Sequence, residues 1–190
     1  MTNNEESWDD SEDYYLNEAE GDAELAKRME DSDIHNMGIY AGQEGDYWEA
    51  MHHFNRCLER EPEPLMKFLC LYNLGATIEQ QFNFYLKGGG ETGTDEEVAW
   101  SIRRGICGEQ AVRVFEENGF SNDDLENIEE LYQGARSLLN SGITWGATML
   151  LPNGEPTWRD FAKVKNTEMY MELGALRNYE KEYWANTSIK

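Results

Sequence analysis

The residue types most able to do chemistry are few in this sequence, and their spacing limits what they can do. Three histidines occur, His35, His52 and His53. His53 and Cys57 stand at i and i+4, so one helix face could offer both to a metal ion. A metal centre needs two further ligands, and Cys57 falls at a small-residue packing position. His52 and His53 project about 100° apart on a helix and cannot act as a pair. Gly88-Gly89-Gly90 invites a phosphate-cradle reading, but the GxxxxGK[ST] order is missing, no strand precedes the loop, and Glu91 and Asp95 would repel the anion. There is no G-x-S-x-G, and no spacing ties a nucleophile to a base. The expectation is a chain with no enzymatic centre, metal or cofactor, whose chemistry is recognition.

The elements that would position a recognition surface centre on Asn36 to Pro62. Ile34, Met37, Gly38 and Ala41 recur at helical spacing, and so do Tyr47, Ala50, Met51, Phe54 and Leu58. Gly45-Asp46 punctuates between the two runs, since glycine tolerates a positive φ and aspartate caps a helix start. Pro62 stops the second run. The reading is a helical hairpin, with small residues at Gly38, Ala41 and Ala50 letting backbones approach and large ones at Tyr47, Phe54 and Leu58 filling between hairpins. Such a hairpin cannot bury its apolar face alone and needs neighbours stacked on it.

Gly38, the Gly45-Asp46-Tyr47 turn, Ala50, Phe54, Leu58 and Pro62 resemble one tetratricopeptide repeat in order and spacing, with Cys57 where that family usually has alanine. Leu71, Leu74, Gly75 and Ile78 echo the first run, and Tyr72-Asn73-Leu74-Gly75 resembles the start of a second repeat, whose helix continues through Phe82 and Phe84. The resemblance implies an all-α fold in which antiparallel hairpins stack as a short right-handed superhelix, followed by an additional C-terminal helical region. It implies a groove lined by the first helix of each pair. The positions left free by packing are His35, Asn36, Ile39 and Gln43 in the first repeat and Tyr72, Asn73, Ala76 and Gln80 in the second. Asn73 matches the asparagine with which many members hold a peptide backbone, and Asn36 is its equivalent one repeat earlier. Where one subset of the family clamps a peptide carboxylate with lysine, this sequence has His35, with Ile39 in place of a groove asparagine and Glu79 nearby. A basic or apolar segment is the better electrostatic match.

Further along, Thr94 and Glu97 stand in capping-box spacing before a helix over 95–118 that carries Ala99, Ile102, Ile106, Cys107, Ala111, Val114 and Phe115, and Gly119 ends it. Ser121 with Asp124 marks the start of another helix, over 122–140. Residues 143–157 read either as a short buried helix or as an extended segment. Thr157 and Asp160 open a final aromatic-rich helical region over 158–185, with Gly174 as a candidate break, which would cover the last open face of the array.

At 190 residues the chain suits one domain. The division expected is an acidic, unstructured tail over 1–20 and a single helical domain over 21–190, with a flexible loop over 86–95. Residues 1–33 hold 13 acidic side chains against Lys27 and Arg28, giving −11, half the net charge of −22. Self-repulsion keeps such a tail open; the competing reading is a helix folding back on a stripe of Leu16, Ala19, Ala23 and Ala26. The charge repels nucleic acid and anionic membrane, so neither is an expected partner. Its second implication is an alternative function, an acidic inhibitor whose carboxylates imitate nucleic-acid phosphates in a basic cleft. Cys57, Cys70 and Cys107 form no CxxC, which fits reduced core thiols. With no apolar core in the first residues and no membrane-length run, the expected location is the cytoplasm.

Overall fold

The turn at Gly45-Asp46 forms as its residue types require. Gly45 holds φ at +83°, which glycine adopts without a Cβ clash, and the Asp46 carboxylate accepts a hydrogen bond from the Glu49 N–H at 3.1 Å. The helices on either side, α1 (Asp10–Gln43) and α2 (Tyr47–Glu59), pack against each other as the hairpin read from the sequence. These coordinates come from a computed structural model that describes residues 10–90, 95–148 and 173–187. All regular structure among the described residues is helical: after α2 come α3 (Pro64–Lys87), α4 (Asp95–Asn118), α5 (Ile128–Thr148) and α6 (Gly174–Thr187). Pro64 sits in the first turn of α3, where a missing N–H leaves no bond unmade. Among the described residues no helix is long and apolar enough to cross a membrane.

Each of the first four helices packs on the next. In addition α1 touches α3 and α3 touches α5, so the odd-numbered helices form one layer with α2 and α4 behind it. The core runs through α3, whose Phe68, Leu71, Leu74 and Ile78 are wholly withdrawn from water, together with Met51, Phe54, Ile106 and Ile128 from its neighbours. Burying side chains of this size stabilises the fold by about 1.5–3 kcal/mol each. Gly38 and Gly75 are points of close approach. A Cβ at Gly38 would stand 2.7 Å from the Phe54 ring, and one at Gly75 would stand 2.9 Å from Leu138 and 3.0 Å from Cys107. The tightest crossing is α4 on α5, where a Cβ on Gly108 would meet the Leu139 backbone nitrogen at 2.5 Å.

Several elements depart from the sequence reading. α1 begins at Asp10, inside the stretch expected to be an open tail. Leu, Ala and Glu, which recur through this stretch of the sequence, are good helix formers. Ala23 and Ala26 are exposed, so the described part of their stripe does not fold back on the body. Ser121 and Asp124 do bond, through Ser121 N–H at 2.9 Å and Oγ at 3.1 Å, but they close a turn. Asn127 then takes a left-handed φ of +64°, and α5 starts only at Ile128. That helix continues through 143–148, which settles the helical alternative for those six residues.

The glycine run differs too. α3 continues to Lys87, and the N–H groups of Gly88, Gly89 and Gly90 donate to the carbonyls of Phe84, Leu86 and Tyr85 at 3.1 Å each. Gly88 to Gly90 therefore wrap the end of α3 rather than opening a cradle. The last helix begins at Gly174, the break named from sequence, and it packs on α2 and α4 instead of capping the end of the array. Residues 91–94 and 149–172, including the expected caps at Thr94, Thr157 and Asp160, lie outside the described residues.

Candidate functional site

α3 turns one side to the core and leaves the other accessible. At 100° per residue, Leu65, Leu69, Tyr72, Asn73, Ala76 and Gln80 fall on one face, opposite Leu71, Leu74 and Ile78, and all six are half-buried or exposed. α1 flanks this band on one side and α5 on the other. The Tyr72 ring marks the α5 border, lying over Gly134, where a Cβ would meet it at 2.7 Å. At the α1 border, Asn73 Nδ2 reaches His35 Nε2 at 3.0 Å.

That contact joins two of the eight residues singled out from sequence. His35 is buried, its ring centroid is 5.5 Å from that of Phe54, and burial pushes its pKa down. A neutral imidazole with a bare Nε2 accepts the Asn73 amide N–H, and that assignment follows from the bonding partners. His35 is thus withdrawn from the surface, and Asn73 keeps its carbonyl oxygen for another donor. Of the remaining six, Asn36, Gln43 and Gln80 are exposed, while Ile39, Tyr72 and Ala76 are half-buried. The two asparagines that look equivalent in sequence therefore have different surroundings. Asn73 is anchored between helices, and Asn36 faces solvent.

The charge beside the band is more balanced than the sequence implies. Glu79 accepts from Arg104 Nη1 of α4 at 2.9 Å, so its carboxylate is partly neutralised. Lys27 donates to the Glu61 carbonyl at 3.0 Å, and Arg28 pairs with Glu24 and Glu63, each at 3.1 Å.

Reactive groups elsewhere are occupied by packing. All three cysteines are free and buried. The neighbouring Cys57 side chain and burial hold the Cys70 thiol far above its ordinary range, and burial does the same to Cys107. Neither supplies a thiolate at neutral pH. His53 Nε2 faces Glu49 Oε1 at 3.1 Å. Among the described residues no group of three or more His, Cys, Asp or Glu side chains is placed to hold a metal ion.

No family model matches this chain, and comparisons with curated proteins and with solved structures give no match either. The likeness to tetratricopeptide repeats rests on its own residues between Gly38 and Ile78. Leu65 and Leu69 were not among the residues singled out. They share the helical phase of Tyr72 and Ala76, one that the deeper Leu71–Ile78 series obscures. Arg104 and Gly134 have no local signal, because each acts on a helix distant in sequence.

Proposed function

We propose that this chain is a non-enzymatic protein-binding module, a tetratricopeptide-like adaptor or scaffold that takes a peptide or protein segment along the α1–α3–α5 layer. The observation that carries the reading is the half-buried apolar band of α3, Leu65, Leu69, Tyr72 and Ala76, left open between α1 and α5. An apolar strip of this kind gives an incoming segment area to bury, and the Asn73 carbonyl beside it gives the segment's backbone an acceptor. Acid dominates the surrounding surface, so a segment that is apolar with basic flanks fits best. The alternative, a mimic of nucleic-acid phosphates, needs rows of carboxylates without cations. Glu24, Glu30, Asp31 and Glu63 are instead engaged with Arg28 and Arg60, which counts against it.

Panning a peptide library against the purified full chain tests the reading. Selected peptides should bind saturably and lose at least tenfold in affinity to Ala76→Arg, whose side chain would fill the band. Retained affinity in that variant, with thermal unfolding unchanged, overturns the assignment.

A further inference from the structure

α1 is apolar on two sides. Ile34, Gly38 and Ala41 face α2 and the core, whereas Leu25, Met29, Met37 and Tyr40 are 57, 62, 50 and 67% exposed. Among the described residues five large apolar side chains are exposed, and four of them are these. At 100° per residue the four fall within an arc of about 120°, whose centre lies about 125° around the helix from that of Ile34, Gly38 and Ala41. That is the width of stripe with which an amphipathic helix normally meets a neighbour, and no described element covers it.

Charge decides what can. The sequence of α1 holds ten acidic residues against Lys27 and Arg28. Glu24 is paired with Arg28, Glu30 and Asp31 are paired with Arg60 at the end of α2, and Asp33 stands within the stripe itself. Both cations are turned away to the 61–63 turn, where Lys27 donates to Glu61 and Arg28 pairs with Glu63. The outward face is therefore apolar and acidic with no positive charge of its own. A second copy would bring acid onto acid between chains of net charge −22, and an anionic bilayer is repelled in the same way. Residues 149–172 hold four acids and three bases, so they match it poorly as well.

We propose that the outward face of α1 docks a basic amphipathic helix of a partner protein. Leucine-like side chains at i, i+3, i+4 and i+7 of the partner cover Met29 and Tyr40, with lysine or arginine beside them meeting Asp33 and the net negative field of the chain. This surface is separate from the α3 band and does not depend on the function proposed for it.

The test titrates the full chain with a fluorescein-labelled 18-residue helix of leucine and lysine in amphipathic order, followed by anisotropy. Controls are a scrambled peptide and one with glutamate for lysine. Saturable binding should weaken at least tenfold in the double variant Met29→Gln/Tyr40→Gln and stay unchanged in Phe84→Gln, an equally exposed aromatic on α3. Both control peptides should fail to bind. Equal loss in both variants, no loss in either, or no binding of the amphipathic peptide overturns the proposal. So does a dimer in sedimentation that the double variant dissolves, which would make a second copy the occupant. Faster hydrogen exchange in 149–172 of the double variant would assign the face to the chain itself and likewise overturn it.

Discussion

Arg103 of α4 donates to Glu180 of α6 at 2.7 Å, with the two side chains only 2 and 1% exposed. The pair joins helices 77 positions apart and is the polar centre of the contact between α6 and the layer behind α3. Next to it in sequence, Arg104 points the other way, to Glu79 of α3. Two consecutive arginines thus tie α4 to α6 and to α3. Desolvating two charges offsets much of their attraction, so the pair serves placement more than net stability.

Removing one member should be worse than replacing both. Glu180→Leu removes from a dry site the carboxylate that Arg103 and Arg177 share and should cost about 3–5 kcal/mol, whereas Arg103→Met/Glu180→Leu should recover part of that loss. Urea midpoints of the two variants check this, and equal midpoints would mean that the pair is not coupled.

Asn55 should behave as a cap for a helix it does not belong to. Its Oδ1 accepts from the N–H groups of Ala175 at 3.0 Å and Leu176 at 3.3 Å, and its Nδ2 donates to Glu59 at 2.8 Å. Asn55→Ala removes both capping bonds and should lower stability by about 1–2 kcal/mol. Amide exchange at Ala175 and Leu176 should speed up more than exchange in α3; uniform change across the chain would argue against a local cap.

Glycine-to-alanine substitutions should separate by what their new Cβ meets. Gly108→Ala drives a methyl group into the backbone of α5, at 2.5 Å from Leu139 N and 2.7 Å from Ala135 O, and no rotamer change relieves it. A loss of about 1–3 kcal/mol is expected. Gly21→Ala meets nothing within 4 Å and should gain about 0.5–1 kcal/mol through helix propensity. Thermal midpoints of the two variants should move in opposite directions.

His35 makes stability depend on pH. Burial lowers its pKa in the folded chain below the ordinary value of about 6.5, so below that value the unfolded chain binds more protons than the folded one. Stability then rises with pH through this window. The His35 contribution is fully present above about pH 6.5 and is lost as the pH falls from there toward the lower folded-state value. His35→Gln, which still offers Asn73 an acceptor, should flatten the urea midpoint between pH 7.5 and 5.5; an unchanged slope would assign the dependence to other groups.

What could be read from sequence alone follows from range. The 95–118 helix appears with those bounds because its acids and Gly119 are local signals, and Gly38 and Gly75 announce close packing because a missing side chain is visible wherever it occurs. The Ser121–Asp124 signal was real but misleading, since the same side-chain bonds close a turn or open a helix, and Asn127 decides between them. Nothing near Asn55 points to Ala175, and nothing near Tyr72 points to Gly134. Of the candidate band, Tyr72, Asn73, Ala76 and Gln80 are legible as positions and Leu65 and Leu69 are not. The withdrawal of His35 is not legible either, because it depends on Asn73 and Phe54 arriving from other helices.

The dependence of α6 on Asn55 also bears on the order of assembly. A ribosome adds about 5–20 residues per second, so α2 waits on the order of ten seconds for a segment 120 positions downstream. Until then the seam that receives Leu173 and Leu176 is open to water. A nascent chain halted in that interval would expose an apolar cleft to chaperones, and release of those chaperones would report the arrival of α6.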